Sequence, residues 1–201
     1  MTSAILSSAY FAPVQWFQKL NRYPRVEIEQ YDHFVKQTYR NRCLIASANG
    51  VQALSIPVES FEGPKCLMKD IRISDHGNWR HLHWNALLSA YGESPFFEYY
   101  ADDIRLLFDK KRTFLLDFNL EITEKLCAWL DIRPQMSLTS RYAEEAEADF
   151  RETIRPKHPL PDSDFSPTPY YQVYRQKHGF LPNLSVLDLL FNMGNESIFY
   201  L

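Results

Sequence analysis

Glycine is scarce in this 201-residue sequence, six residues in all. None of the glycine-rich patterns that cradle phosphates occurs: there is no G-x-G-x-x-G and no G-x-x-x-x-G-K-[ST]. The nucleophile elbow G-x-S-x-G and the zinc-protease pattern H-E-x-x-H are missing as well. Cys43, Cys66 and Cys127 are odd in number and far apart, which excludes a disulfide framework and a zinc-ligand spacing. A reducing, cytoplasmic compartment is the expectation. No positive field is available for nucleic acid, since 22 Lys and Arg face 25 Asp and Glu for a net charge of −3. No apolar run approaches the roughly 18 residues that a bilayer span needs. The first thirteen residues lack the basic and continuously apolar regions of a signal peptide.

What the chain does have is aromatic residues, 15% of the total, which predict a well-filled core and an aromatic-lined cleft. Ala4–Ser8 reads as a buried first strand. The loop Ala9–Pro13 follows, with Pro13 opening a helix over Val14–Asn21, and Val26–Gln30 reads as a second strand. Cys43–Ala48 and Val51–Val58 flank Asn49-Gly50, a type I′ hairpin signal. From Ser74 the period changes to that of a helix. Trp79, Leu82, His83, Ala86, Leu87, Ala90 and Tyr91 form one stripe, capped by Ser74 or Asp75 and ended by Gly92. Further helices are expected over Glu98–Phe108 and Thr113–Leu130, and a late strand over Met136–Thr139. A last short helix follows Asn183 or Ser185. The stretch at about 134–169 differs in kind: it is rich in proline, carries an acidic cluster at 144–152, and reads as a long surface excursion or lid. The expected fold class is α/β, a single domain over 1–201 with a mixed sheet, a β-hairpin and three to four packed helices. Oligomeric state is left open.

Three features carry possible chemistry. His81 and His83 point about 200° apart on a helix and cannot share one ion. His83 lies on the apolar stripe, as a neutral core histidine or an acid/base group, and no metal is expected. Alternation puts Arg40 and Arg42 on one face of the first hairpin strand, flanking Asn41. Two adjacent guanidiniums suit a carboxylate or phosphate; alternatively they pair with Glu27, Glu29 or Asp32. The loop before Pro13 leads into a helix N-terminus that can hold an anion, or else Tyr10, Phe11 and Trp16 simply plug the core.

Several phrases taken together resemble the WbqC-like protein family in its short Bacteroidetes form. They are Ala9–Pro13, Ile28–Gln30, Gln37–Cys43, Leu54–Val58, Ile71–Ile73, Trp79–Trp84, Ala90–Tyr100, Tyr171–Tyr174, His178–Phe180 and Asn183–Phe191. The resemblance implies an α/β protein, often encoded among genes for surface-polysaccharide biosynthesis, with some members labelled as glycine transferases. Many members carry Gln-Pro where this chain has Ser8-Ala9, so any contact that glutamine makes is missing or replaced. The implied activity is transfer to a sugar or glycan precursor from a small anionic or nucleotide-linked substrate, with no cofactor. In that reading Glu29 or His83 is the base. Tyr10, Phe11, Arg40, Asn41, Arg42, Tyr91, Ser94 and Tyr100 hold the substrate. The alternative is a non-catalytic protein that binds a ligand or partner.

Overall fold

A computed structural model describes residues 3–201. In chain order the elements are β1 (Ser3–Ser7), α1 (Val14–Arg22), β2 (Arg25–Glu29), β3 (Arg42–Ser47), β4 (Gly50–Ser55), α2 (Trp79–Tyr91), α3 (Phe97–Asp109), α4 (Leu115–Trp129), β5 (Gln135–Leu138), β6 (Ala148–Asp149), α5 (Arg175–His178) and α6 (Val186–Met193). The α/β class is therefore as expected. Both strand directions are present, but on two separate sheets. One is four-stranded and wholly parallel, ordered β5-β2-β1-β6, and the other is the antiparallel β3-β4 hairpin.

The hairpin turns one residue earlier than the sequence suggests. Ser47 pairs with Gly50, which leaves Ala48 and Asn49 as the loop. Positive φ falls on Gly50 (+104°) and not on Asn49, so the turn is not the type I′ pair that needs both loop residues at positive φ. β4 ends at Ser55, and Val58 bridges to Ile73 instead of extending the strand. Along α2 the stripe buries Trp79, His83, Leu87, Ala90 and Tyr91, whereas Leu82 stays 59% exposed. That helix starts at Trp79 after Asn78, not at Ser74 or Asp75, because Gly77 and Asn78 both take positive φ and break the turn ahead of it.

The parallel register decides what the main sheet can do. Ala4 and Leu6 on β1 and Val26 and Ile28 on β2 share one face and are wholly buried in the core. The opposite face aligns Ser3, Ile5 and Ser7 with Arg25, Glu27 and Glu29, then with Ser137 on β5 and Asp149 on β6. Parallel sheets are ordinarily apolar on both faces. Here one face is polar, and the 139–147 loop lies over it. β1 has β2 on one side and β6 on the other, so the strand order diverges at its C-terminal end, where open α/β sheets leave a crevice.

The 134–169 segment is irregular for most of its length, yet it supplies β5 and β6 and buries Arg151, Thr153 and Ile154. A second tie is Lys19 on α1. Its ammonium is fully buried 2.8 Å from Asp162 and 4.7 Å above the Phe150 ring. Burial alone would raise the Asp162 carboxyl, but the bonds from Lys19 and Gln15 prevail and hold it below the usual range. Among the described residues no helix is long and apolar enough to cross a membrane.

Removing one partner of a buried ion pair strands the other charge, at about 3–5 kcal/mol. Asp162→Ala should therefore lower unfolding stability by about 3 kcal/mol in urea titrations. Lys19→Met keeps the volume and leaves Asp162 with its bonds from Gln15 and the Asp164 amide, so it should cost clearly less. Equal losses from the two variants would count against this reading of the pair.

Candidate functional site

A cavity of about 780 Å³ opens over the polar sheet face. Its floor is Ser3, Ile5 and Glu27, and its roof is the 139–147 loop with Ser140, Arg141, Tyr142, Glu144, Glu145 and Glu147. Four carboxylates against one guanidinium make this an acid-lined cleft, suited to hydroxyl and amine donors rather than to an anion. Glu27 sits at the middle of β2, half-buried, and its side chain makes no hydrogen bond or ion pair among the described residues.

One guanidinium fixes the roof. Arg151 donates Nη2 to the Ala143 carbonyl (2.8 Å) and to Asp149 (2.6 Å), and its Nη1 lies 3.4 Å from Glu29. The same group stands 5.0 Å from the centre of the Tyr142 ring. Although Asp149 is partly buried, Arg151 holds its carboxyl below the ordinary value. Glu29 completes the clamp. Oε1 accepts from the Tyr31 amide (2.8 Å) and the Thr139 hydroxyl (2.9 Å), and Oε2 from the Ala143 amide (2.9 Å). Both oxygens of Glu29 are thus engaged in holding the loop over the cleft.

Arg40 and Arg42 do not converge. Arg40 precedes β3 and is buried, ion-paired with Asp32 and donating to Ser7 Oγ at 3.0 Å. Arg42 instead bonds Ser55 Oγ across the hairpin at 2.9 Å. Burial raises the Asp32 carboxyl, and Arg40 opposes that only in part. Arg40 Nε and Asp32 Oδ1 find no protein partner, and Arg40 lines a small cavity of about 10 Å³. Asn41 ties the hairpin by donating to the Ile56 carbonyl at 2.8 Å. Ser8 is buried and accepts from Asn119 at 2.8 Å.

The remaining expected site residues lie in the interior. The Tyr10 hydroxyl is 2.8 Å from His83 Nδ1; the Tyr10 ring packs on Phe118 and the His83 ring on Trp79 and Phe108. Phe11 takes φ +38°, a left-handed backbone unusual for a bulky residue, with its ring against Tyr10 and Phe108. Tyr91 donates to Asp188 (2.9 Å) and accepts from the Ala46 amide (3.0 Å). Ser94 donates to the Tyr91 carbonyl, and Tyr100 packs on Tyr99 and Trp129. The first amides of α1 are taken by the Leu184 carbonyl (3.0 Å) and Asn183 Oδ1 (3.0 Å), so that helix end is capped from the C-terminal segment and offers no anion site. Ser185 caps α6.

Sequence reasoning assigned neither Glu27 nor Arg151 to a site, and these two build the cleft and its clamp. Asp32, one of the partners the sequence offered for Arg40, holds it, and Asp188 gathers Tyr91, Tyr170 and Gln172. The available signal was the polar alternation Arg25, Glu27, Glu29, which marks a strand with one hydrophilic face. No group of metal-ligating side chains occurs among the described residues.

A family model described as the WbqC-like protein family matches residues 8–155. An uncharacterized Mycobacterium tuberculosis protein, Rv1507c, is 25% identical over 193 residues, covering 84% of this chain and 83% of its own. No solved structure matches.

The His83 environment makes a pH prediction. Burial pushes its imidazole down to about 4, with a hydrogen bond to the Ser55 backbone opposing. An unfolded histidine titrates near 6.5, so the unfolded chain binds the proton first. The stability that neutral His83 supports is complete above about pH 6.5 and is lost as the pH falls toward 4, by about 3 kcal/mol in all. His83→Gln should flatten that part of the stability profile in urea titrations between pH 4 and 7. An unchanged slope would mean that His83 is not the titrating group.

Proposed function

The chain belongs to the WbqC-like protein family, and we propose that it is a transferase whose acceptor, a small hydroxyl- or amine-bearing glycan precursor, sits in the cleft over the polar sheet face. The observation that carries this reading is the cleft itself: a concave polar face on a parallel sheet, with Glu27 at its floor and carboxylates along its rim. Sugar hydroxyls and ammonium groups are donors, and carboxylates are the acceptors that match them. Tyr142 adds an aromatic surface for the apolar side of a ring. In the transfer step Glu27 takes the proton from the acceptor oxygen or nitrogen. That atom bonds to the donor's electrophilic carbon, and the leaving group departs with its electron pair. Glu29 and Arg151 position the roof and exclude water, a role other than the general base first expected of Glu29.

A second reading is a binding protein without chemistry. The observation favouring it is that both bases anticipated from sequence, Glu29 and His83, are engaged in internal hydrogen bonds.

The two readings separate in one experiment. Thermal shifts against neutral sugars, amino sugars, nucleotide-sugars, acyl-CoAs and glycine should find a cleft ligand, since a ligand at 100 times its dissociation constant adds about 2.7 kcal/mol. With that ligand, Glu27→Gln should retain affinity within about threefold yet lose at least about 100-fold in transfer rate. Binding by both proteins without transfer by either would establish the second reading. Silence across the panel would remove both.

A further inference from the structure

A second cavity, of about 400 Å³, lies against the α2–α3 pair and shares no residue with the sheet cleft. Arg80, His81 and Trp84 reach it from α2, Arg105 from α3, and Lys111 from just beyond α3. We propose that this cavity binds a phosphate-bearing small molecule of the nucleoside diphosphate class. Arg80, Arg105 and Lys111 face only Asp75 and Asp109 there, a local surplus of positive charge in a chain whose net charge is −3.

The arrangement of these groups matters more than their number. Asp75 is shared, accepting from Arg80 Nη1 at one oxygen and from Lys111 Nζ at the other, each at 2.6 Å. A single carboxylate thus holds two cations side by side at the cavity wall, although Lys111 is itself 77% exposed by its side chain. Left alone, an exposed lysine of that kind would sample many rotamers. Arg105 has no carboxylate partner among the described residues. It stands 6.0 Å from the centre of the Trp84 ring. Guanidinium forks and ammonium groups are the donors that phosphate oxygens take, and their strength rises in a concave site.

Trp84 supplies the other half of the recognition. Its indole is stacked against Phe97 with an interplanar angle of 28°, which fixes the ring, and it lines the cavity. A fixed aromatic wall beside phosphate donors is what a nucleoside with a phosphate tail requires, and the volume falls in the range of small-molecule sites. Ordinary surface ion pairing accounts for Arg80 and Lys111, but not for Arg105 or for the concavity that joins all three.

The test is titration of the full chain with uridine or adenosine diphosphate and, separately, with inorganic phosphate. Calorimetry and tryptophan fluorescence at low salt supply the readouts. Saturable diphosphate binding is expected, with inorganic phosphate at least about tenfold weaker. Arg105→Ala and Lys111→Ala should each weaken the diphosphate about tenfold, as loss of one charge-assisted contact does. Both side chains lie at the surface, so the variants should keep the parent's unfolding midpoint, which is measured alongside. No saturable binding, unchanged affinity in both variants, or inorganic phosphate as tight as the diphosphate would each overturn the assignment. Binding is read directly here, so the result is independent of whether the sheet cleft takes a glycan precursor.

Discussion

The guanidinium of Arg151 is the constraint on which the sheet and its cleft depend. It joins Glu29 at the end of β2, Asp149 on β6 and the Ala143 carbonyl in the intervening loop, three positions that the chain brings together only by folding. Each contact alone is modest. A buried charge left without its partner, by contrast, costs several kcal/mol, so each group holds the others in place. The result is directional. The edge strand β6 is only two residues long and pairs with β1 at two positions. That pairing is too short to fix an edge without help, and Arg151, two residues beyond Asp149, supplies the help.

The polar face of the parallel sheet follows from this clamp. A strand has period two, so Glu27 and Glu29 must point the same way once Val26 and Ile28 face the core. Two carboxylates on neighbouring same-face positions of a nearly covered sheet need separate solutions. Glu29 is satisfied by amides, a hydroxyl and Arg151. Glu27 is left facing the cleft. One strand therefore holds a bonded acid and an unpartnered one two residues apart, and hydrogen-bond satisfaction, not residue type, separates them.

That distinction sets how much was legible in advance. The elements were readable because their signals are local: the Ala4–Ile5–Leu6 run, the helical stripe from Trp79, and the turn at Gly50 each need only a few neighbouring residues. Family membership was readable from short phrases spread along the chain. The arrangement of the site was not. The sequence leaves Arg40 and Arg42 either as one anion clamp or as partners of nearby carboxylates, and only the fold decides: Asp32 claims the first and Ser55 the second. Those partners lie 8 and 13 residues away, and no periodicity announces them. The 134–169 excursion misled for a similar reason. Its composition is that of a loop, while its few anchoring groups, Arg151 and Asp162, act through partners in β2 and α1.

His83 shows the same rule from the other side. A histidine among conspicuous aromatics invites a catalytic reading, but burial holds it neutral, and its ring is already bonded to Tyr10. Protonating it would put a charge among Trp79, Phe108 and Phe118 with no carboxylate beside it. A group so placed cannot cycle between acid and base near neutral pH without straining the core it packs against. Asp188 is in the same position, with its carboxyl pushed up by burial and surrounded by Tyr91, Tyr170 and Gln172. In this fold the buried polar groups with complete hydrogen bonding hold the layers together. In the sheet cleft the group that the layers leave incomplete is Glu27, which is why the proposed transfer is placed on it.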